Sequence, residues 1–254
     1  EAEAEAEDNL ELKEEFKIII DRIQIGVLPR RHSIFKFLEQ CRTKKDLRRA
    51  FVIVDRYKPW MTVKCVRTGS LLIRAAIRAG EFDAAIKILH DHRQMRFRLS
   101  ASVGKDLLDE LGAAGEIDKM IESYKILATF VPGIVHPETL VIMIRAMLRN
   151  DEGEKAVEFF EQWRIAGSRL KPVSYKVLLE GFNSNLAKSE EGEARDALLK
   201  SRDRVKDFLQ KDNLLKDPTM LQLLQYMPPT AAGPEASQGG GEPTAEEVQE
   251  QAKA

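Results

Sequence analysis

A repeat of 35 or 36 residues is the feature that most constrains how this chain of 254 residues can fold. Pairs of residues that face a helical core recur at spacings of 35, 35 and 36 residues, and they are Ala50-Phe51, Ala85-Ile86, Met120-Ile121 and Ala156-Val157. In the best-formed unit, residues 67–100, the break Ala79-Gly80-Glu81 separates two runs that favour helix. A period in this range is typical of stacked helical hairpins, because one hairpin cannot bury its apolar face alone. The sequence therefore predicts an all-α fold, an α-solenoid of about five helical hairpins.

The hairpins can be placed in order on this period. We expect helix pairs at 33–41 with 45–57, 70–77 with 82–89, 103–111 with 117–129, 138–149 with 153–166, and a fifth pair that begins at 174, contains a polar insertion at 183–193 and ends near 209. Together they form a repeat array over residues 31–212. Terminal units of a solenoid need covering, so an N-terminal amphipathic helix in 9–30 and a C-terminal helix in 213–227 are predicted to cap the array. The acidic start, 1–8, and the low-complexity tail, 228–254, are expected to be disordered.

Composition excludes several classes of protein. Hydrophobic residues make up 43% of the chain, which suffices for helix packing, but they are too dispersed for a membrane span. Two cysteines, Cys41 and Cys65, argue against a disulfide framework and favour a reducing compartment, in which they would pack as small side chains. The chain does not begin with Met, and its alternating Glu-Ala start is unlike a targeting peptide, so any such peptide is expected to have been removed already.

The net charge of −1 conceals a strongly uneven distribution. Residues 27–105 contain 19 Lys/Arg and 6 Asp/Glu, a net charge of +13, whereas the segments before and after carry −6 and −8. A basic block of this size indicates a polyanionic partner. The alternative is a solvated basic surface that the acidic ends balance.

We predict that this basic block contacts the phosphates of RNA, with little choice of sequence. The candidate residues share a basic side chain and a position in or beside the first two hairpins, and they are Arg30, Arg31, Lys36, Arg42, Lys44, Lys45, Arg48, Arg49, Arg74, Arg78, Arg93, Arg96 and Arg98.

Catalytic chemistry finds no support in the residues. His90 and His92 are two residues apart, so on a helix they diverge, and no nearby Cys would complete a metal site. Glycines 239–241 follow no predicted strand and precede no Gly-Lys-Ser/Thr, so they form no phosphate loop. We therefore predict a protein that is not an enzyme and has no catalytic, cofactor-binding or metal site.

The repeat resembles the pentatricopeptide unit. That unit has 35 residues, opens with a pattern like Val-Thr-Tyr-Asn-x-Leu-Ile, has a central Gly and ends near Gly-x-x-Pro. Here Thr68-Gly69-Ser70-Leu71-Leu72-Ile73 with Ala79-Gly80 is similar, as is Pro172-Val173-Ser174-Tyr175-Lys176-Val177-Leu178-Leu179 after Gly167. The tetratricopeptide unit expects Trp-x-x-Leu-Gly in its first helix, which no unit shows. The resemblance covers about residues 31–183.

Pentatricopeptide proteins that recognise RNA select one base per repeat with the fifth residue of the first helix and the last residue of the repeat. The fifth positions map to Phe35, Ser70, Lys105, Val141 and Lys176, and the last positions fall near Cys65, Ser100, Val135 and Lys171. Only Ser70 with Ser100 has the chemistry of a base contact, because Phe and Val offer no hydrogen bond to a base edge. The resemblance therefore implies a scaffold whose base code is degenerate.

The resemblance also implies a compartment and partners, because pentatricopeptide proteins are overwhelmingly organellar. In layout the chain is most similar to the pentatricopeptide-type protein of the mitochondrial small ribosomal subunit. This implies a non-catalytic structural subunit in the mitochondrial matrix, acting in translation, with residues 27–105 on rRNA and other faces on protein subunits of the same ribonucleoprotein. Two alternatives stay open: a free organellar RNA-binding factor whose specificity lies in Ser70 and Ser100, and a helical scaffold in a mitochondrial membrane complex.

Overall fold

The computed structural model describes residues 10–60, 66–95, 97–167, 170–189 and 192–225, and every regular element within these ranges is helical. The helices are α1 (Leu10–Gln24), α2 (Arg31–Gln40), α3 (Lys44–Tyr57), α4 (Val66–Arg78), α5 (Phe82–Asp91), α6 (Ala101–Ala113), α7 (Ile117–Phe130), α8 (Pro137–Arg149), α9 (Gly153–Ile165), α10 (Pro172–Lys188), α11 (Glu193–Lys211) and α12 (Pro218–Gln225). Short 3₁₀ turns lie at Lys58–Trp60 and Leu214–Lys216. The predicted all-α class is confirmed. The expected tail, 228–254, and the acidic start lie outside the described residues.

The chain divides into two compact units, of which the first extends to Leu178. In this unit the first helices of successive hairpins, α2, α4, α6 and α8, pack against one another in one layer, and α5 packs against α7 in a second. These first helices begin at residues 31, 66, 101 and 137, so the structure confirms the 35-residue period and its phase. Helix α1 contacts both α2 and α3 and buries Leu12, Ile19 and Ile23.

Local sequence sets where the helices begin and end. Thr43 forms a capping box with Asp46, because its hydroxyl accepts from the Asp46 N–H at 3.1 Å and its own N–H donates to the Asp46 carboxylate at 3.3 Å. The turns after α4 and α6 each have a left-handed residue, Gly80 with φ 68° and Gly115 with φ 77°. A side chain would strain this conformation, which is why the Ala-Gly-Glu break recurs one repeat later.

Glycines allow the first-helix layer to pack closely. A Cβ at Gly69 of α4 would lie 3.1 Å from Leu99, and a Cβ at Gly104 of α6 would lie 2.9 Å from Ile134. Both contacts use the fourth residue of a first helix and an apolar residue from the segment that leads into the next repeat. The repeat therefore has its own packing device, in addition to the apolar stripe that the sequence pattern indicated.

The second unit begins at Leu179. Here the last carbonyl groups of α12 accept hydrogen bonds from two other helices. The Asn183 side-chain amide donates to the Leu223 carbonyl at 2.9 Å, and the Arg202 guanidinium donates to the Leu224 carbonyl. Helix α10 continues to Lys188, so the polar insertion expected to start at 183 is wrong in its first part. The reason is that Asn183, Asn185 and Leu186 are buried. No helix in the described ranges is long and apolar enough to cross a membrane.

Candidate nucleic-acid interface

The predicted fifth positions are the fifth residues of the first helices, because those helices begin where the period requires. Phe35 of α2 is half-buried beneath a cation, since the Arg67 guanidinium carbon lies 4.7 Å from the centre of its ring. The same guanidinium donates to the Glu39 carboxylate at 3.1 Å. Phe35 is therefore engaged by the next repeat, an arrangement that leaves little of its face for a stacked base.

Ser70 and Ser100 occupy structural positions. Ser70 is only 8% exposed, and its hydroxyl oxygen is buried without a hydrogen-bond partner among the described residues. Ser100 is the N-cap of α6, where its hydroxyl accepts from the Val103 N–H at 3.4 Å. The base contact predicted for this pair would require Ser70 to become accessible to RNA and Ser100 to give up its hydrogen bond with the Val103 N–H.

The remaining fifth positions offer no neutral hydrogen-bonding group to a base. Lys105 donates to the Glu138 carboxylate of α8, and this hydrogen bond is the main cause of the lowered pKa of Glu138. Val141 is half-buried and apolar, and Lys176 is exposed. Among the described residues, three ion pairs join neighbouring first helices, and we call them the inter-repeat ladder: Glu39 with Arg67, Arg74 with Asp106 at 2.8 Å, and Lys105 with Glu138.

The structure separates the predicted phosphate contacts into two groups. Lys36, Lys44, Arg49 and Arg74 form ion pairs with the carboxylates of Glu15, Glu81, Asp46 and Asp106 respectively. Six of the predicted arginines are exposed and form no ion pair with another described residue, and they are Arg30, Arg31, Arg42, Arg48, Arg93 and Arg98. Lys45 is also exposed, and Arg96 lies outside the described residues. A partner that covered or neutralised these six arginines would therefore break no ion pair among the described residues.

Arg78 has a structural contact that the sequence did not suggest. From the last turn of α4 its guanidinium donates to the carbonyl oxygens at the end of α2, Leu38 at 2.6 Å and Cys41 at 3.1 Å. These carbonyls lack partners within their own helix. Burial lowers the pKa of Arg78, and the nearby charge of Arg42 lowers it further. Arg78 therefore ties the second hairpin to the first and adds positive potential beside Arg42.

Replacing Arg78 with alanine is expected to destabilise the protein by about 2 kcal/mol, because two helix-terminal carbonyls lose a charged donor. Arg74, one turn earlier on α4, provides the control, since its ion pair with Asp106 is exposed on both sides. Arg74→Ala is expected to cost about 0–1 kcal/mol. Urea unfolding followed by circular dichroism measures both, and equal losses for the two variants would contradict a capping role for Arg78.

Cys41 is a buried packing residue with an unreactive thiol. Its Sγ donates to the Phe37 carbonyl at 3.3 Å, and burial, assisted by the Asp46 charge, raises its pKa to about 12. The thiolate is the reactive form of cysteine, and it is scarce at neutral pH under these conditions. Cys41 thus has the structural role that composition suggested.

In a Cys65→Ser background, iodoacetamide is expected to label Cys41 slowly at pH 8 in native buffer and rapidly in urea. The raised pKa of Cys41 also makes the stability of the fold depend on pH. Because the folded state holds the thiol proton more tightly, this stabilisation is fully present below the thiol pKa of the unfolded chain and is lost as pH rises above about 9. Mass spectrometry of the alkylated protein measures the rate. Equal labelling rates in native and denaturing buffer would show that the thiol is accessible in the fold.

The histidines have separate partners. The Nε2 atom of His90 lies 3.2 Å from the Glu122 carboxylate, whereas His92 stacks on Phe130 with ring centres 3.6 Å apart. Within the described ranges no group of three or more His, Cys, Asp or Glu side chains is placed to hold a metal ion.

The charged contacts between repeats were not predicted, although the sequence contains a signal for some of them. On the second helices, Asp83 pairs with Lys119 at 2.9 Å and Asp118 pairs with Lys155 at 3.1 Å. Opposite charges 36 or 37 residues apart, about one repeat, would have predicted both pairs. The spacing of the ladder on the first helices is shorter and less regular, at 28 to 33 residues, so it was harder to see.

Comparisons with known proteins agree with this architecture. No protein-family profile matches the chain. A pentatricopeptide repeat-containing protein of Arabidopsis thaliana is 23% identical over 183 residues, which are 71% of this chain and 31% of that protein. The crystal structure of the pentatricopeptide repeat protein PPR10 from maize matches with a TM-score of 0.58 at 14% identity, covering 79% of this chain and 27% of PPR10. The chain thus spans less than a third of the length of each of these proteins.

Proposed function

Since sequence and fold both support the pentatricopeptide-repeat family, we propose that this chain is a non-catalytic RNA-binding scaffold that contacts RNA phosphates through its first two hairpins. More specifically, we propose a structural subunit of a mitochondrial ribosome, in the small subunit and within the matrix. Its contacts with rRNA would fix its position, and its other faces would contact neighbouring proteins.

The observation that carries this proposal is the set of six exposed arginines without described ion-pair partners in a segment of net charge +13. Some cations of the repeats join neighbouring helices, as Arg74 and Lys119 do. An arginine left outside such pairs is available for bidentate binding of phosphate oxygens. Several such contacts supply affinity and orientation with little base specificity.

A structural role explains the state of the fifth positions. A repeat that reads bases needs an accessible polar side chain at this position, whereas Phe35 is covered by Arg67 and Ser70 is buried. A ribosomal subunit always meets the same rRNA segment during assembly, so it needs shape and charge rather than a base code. The degenerate code is therefore compatible with a fixed partner.

The segments on either side of the basic block support protein partners. Residues 106–254 carry a net charge of −8, which disfavours close approach to RNA and suits basic neighbours. In this proposal the basic hairpins bind rRNA and the acidic remainder contacts basic proteins of the same particle.

A free organellar RNA-binding factor is the second candidate, and the similarity to a pentatricopeptide repeat-containing protein of Arabidopsis fits it equally well. Sedimentation of a mitochondrial lysate at moderate and high salt distinguishes the two candidates. A structural subunit is expected to migrate with small ribosomal subunits at both salt concentrations. Migration with free RNA at moderate salt alone would favour the second candidate, and migration with a membrane complex would overturn both.

A further inference from the structure

We propose that the RNA bound by the first two hairpins is double-helical, and that two rows of arginines contact its two phosphate backbones. This inference rests on the proposed RNA binding and names the class of RNA. We call Arg42 and Arg48 the turn row, and Arg30, Arg31, Arg93 and Arg98 the corner row.

The burial of the Phe, Tyr and Trp side chains disfavours a single-stranded RNA. Proteins that bind single strands stack unpaired bases on exposed aromatic rings, and this stacking supplies much of the affinity. Among the Phe, Tyr and Trp residues whose side chains the structure describes, none is exposed. Those closest to the first-helix surface, such as Phe35, are half-buried. The described surface therefore offers no exposed Phe, Tyr or Trp ring to unstacked bases.

The inter-repeat ladder also disfavours a single strand on the first helices. A single strand that followed the first helices would have to pass Arg67, Arg74 and Lys105, and each of these cations already pairs with a carboxylate of a neighbouring helix. Binding phosphate there would break those pairs or bring the RNA close to Glu39, Asp106 and Glu138. This layer is therefore a poor path for a flexible polyanion.

The available arginines lie towards opposite ends of the first two hairpins. Arg42 is in the turn between α2 and α3, and Arg48 is near the start of α3. The corner row lies at the opposite ends of these hairpins, since Arg30 and Arg31 are at the start of α2, and Arg93 and Arg98 lie between α5 and α6. With a rise of about 1.5 Å per residue, α2 and α4 separate the rows by about 15–20 Å.

Two separated rows of cations match the outer surface of an RNA double helix. A-form RNA has a deep, narrow major groove and a wide, shallow minor groove bordered by the phosphates of both strands. Proteins recognise it mainly by shape and by contacts with phosphates and 2′-hydroxyl groups. The arrangement requires neither stacking on Phe, Tyr or Trp rings nor a fifth-position side chain that reads base edges.

The test compares three RNAs with the full chain by fluorescence anisotropy at about 100 mM salt: a mixed-sequence duplex of about 20 base pairs, one of its strands, and oligouridine of about 40 nucleotides, which carries as many phosphates as the duplex. Binding to the duplex is expected to be about tenfold tighter than to either single strand. Equal or tighter binding of oligouridine would overturn this inference and leave RNA binding intact. Failure to bind any of the three RNAs would overturn the proposed function as well.

Variants of each row test the geometry. R42A/R48A removes the turn row, R93A/R98A removes half of the corner row, and R145A/R149A is the matched control, because both of its arginines are exposed on α8 outside the basic block. Each row variant is expected to weaken duplex binding about tenfold, and the control less than about twofold. Loss confined to one row would overturn the two-row geometry, as would an equal loss in the control.

Discussion

Gly112→Ala is expected to lower the free energy of unfolding of the first unit by about 1–3 kcal/mol, although alanine is the better helix former by about 1 kcal/mol. A Cβ at Gly112 of α6 would lie 2.4 Å from the Cβ of Ala146 in α8, a distance that carbon atoms cannot tolerate. Neither atom is at the end of a flexible side chain, so the two helices would have to move apart. The contact between consecutive first helices would then weaken. Urea unfolding measures the loss.

The partner residue supplies the control. Ala146→Gly removes the other carbon of the clash, so Gly112→Ala combined with Ala146→Gly is expected to recover part of the lost stability. A double-mutant cycle on these two positions then gives a favourable coupling energy, as it does for residues in direct contact. If Gly112→Ala is neutral or stabilising on its own, α6 and α8 are not as close as the structure indicates.

The combined variant R42A/R48A/R93A/R98A is expected to bind a stem-loop RNA on the order of 100-fold more weakly than the wild type at about 100 mM salt. Each arginine is exposed and forms no ion pair with another described residue, so its removal should leave the fold intact while four phosphate contacts are lost. The loss is expected to be similar for unrelated stem-loops, because phosphate contacts carry no base information. Fluorescence anisotropy with two such RNAs measures both effects.

Two controls accompany this variant. Its circular dichroism spectrum and urea midpoint are expected to match those of the wild type, which separates binding from folding. R145A/R149A is expected to bind both stem-loops normally. If Ser70→Ala alone abolished binding to one of the stem-loops, the chain would be a sequence reader, and the assignment of affinity to the arginines would be wrong.

The repeat architecture could be predicted from sequence because it depends on periodic properties. Breaks such as Ala79-Gly80-Glu81 and Ala114-Gly115-Glu116 are local signals, and each marks a turn between two helices in the structure. The first helices begin at a constant phase, so the fifth positions were placed correctly from the pattern alone.

The state of those positions could not be predicted, because it depends on contacts between repeats. Whether Ser70 faces solvent or the core depends on how α4 packs against its neighbours, and the sequence pattern left both outcomes open. The positions of Arg67 over Phe35 and of Arg78 against the carbonyls of α2 depend on side-chain reach across two hairpins. Composition likewise identified the basic block but could not show which of its residues already had partners.

The C-terminal end of α10 could not be predicted from sequence for a different reason. Residues 183–188 contain Asn, Ser and Lys, which are polar enough to suggest a loop, yet they continue the helix. Asn183 is buried and donates to a carbonyl of α12, a contact that no local pattern reveals. Tertiary contacts here override local polarity.

Arginine–phosphate contacts are the basis of the proposed RNA binding, and the salt dependence of that binding tests them most directly. A plot of log affinity against log salt concentration counts the cations that displace counterions from the RNA. The wild type is expected to give a slope of about −4 or steeper, and R42A/R48A/R93A/R98A a slope flatter by about 3. The same slope for both proteins, or a wild-type slope near zero, would contradict the account.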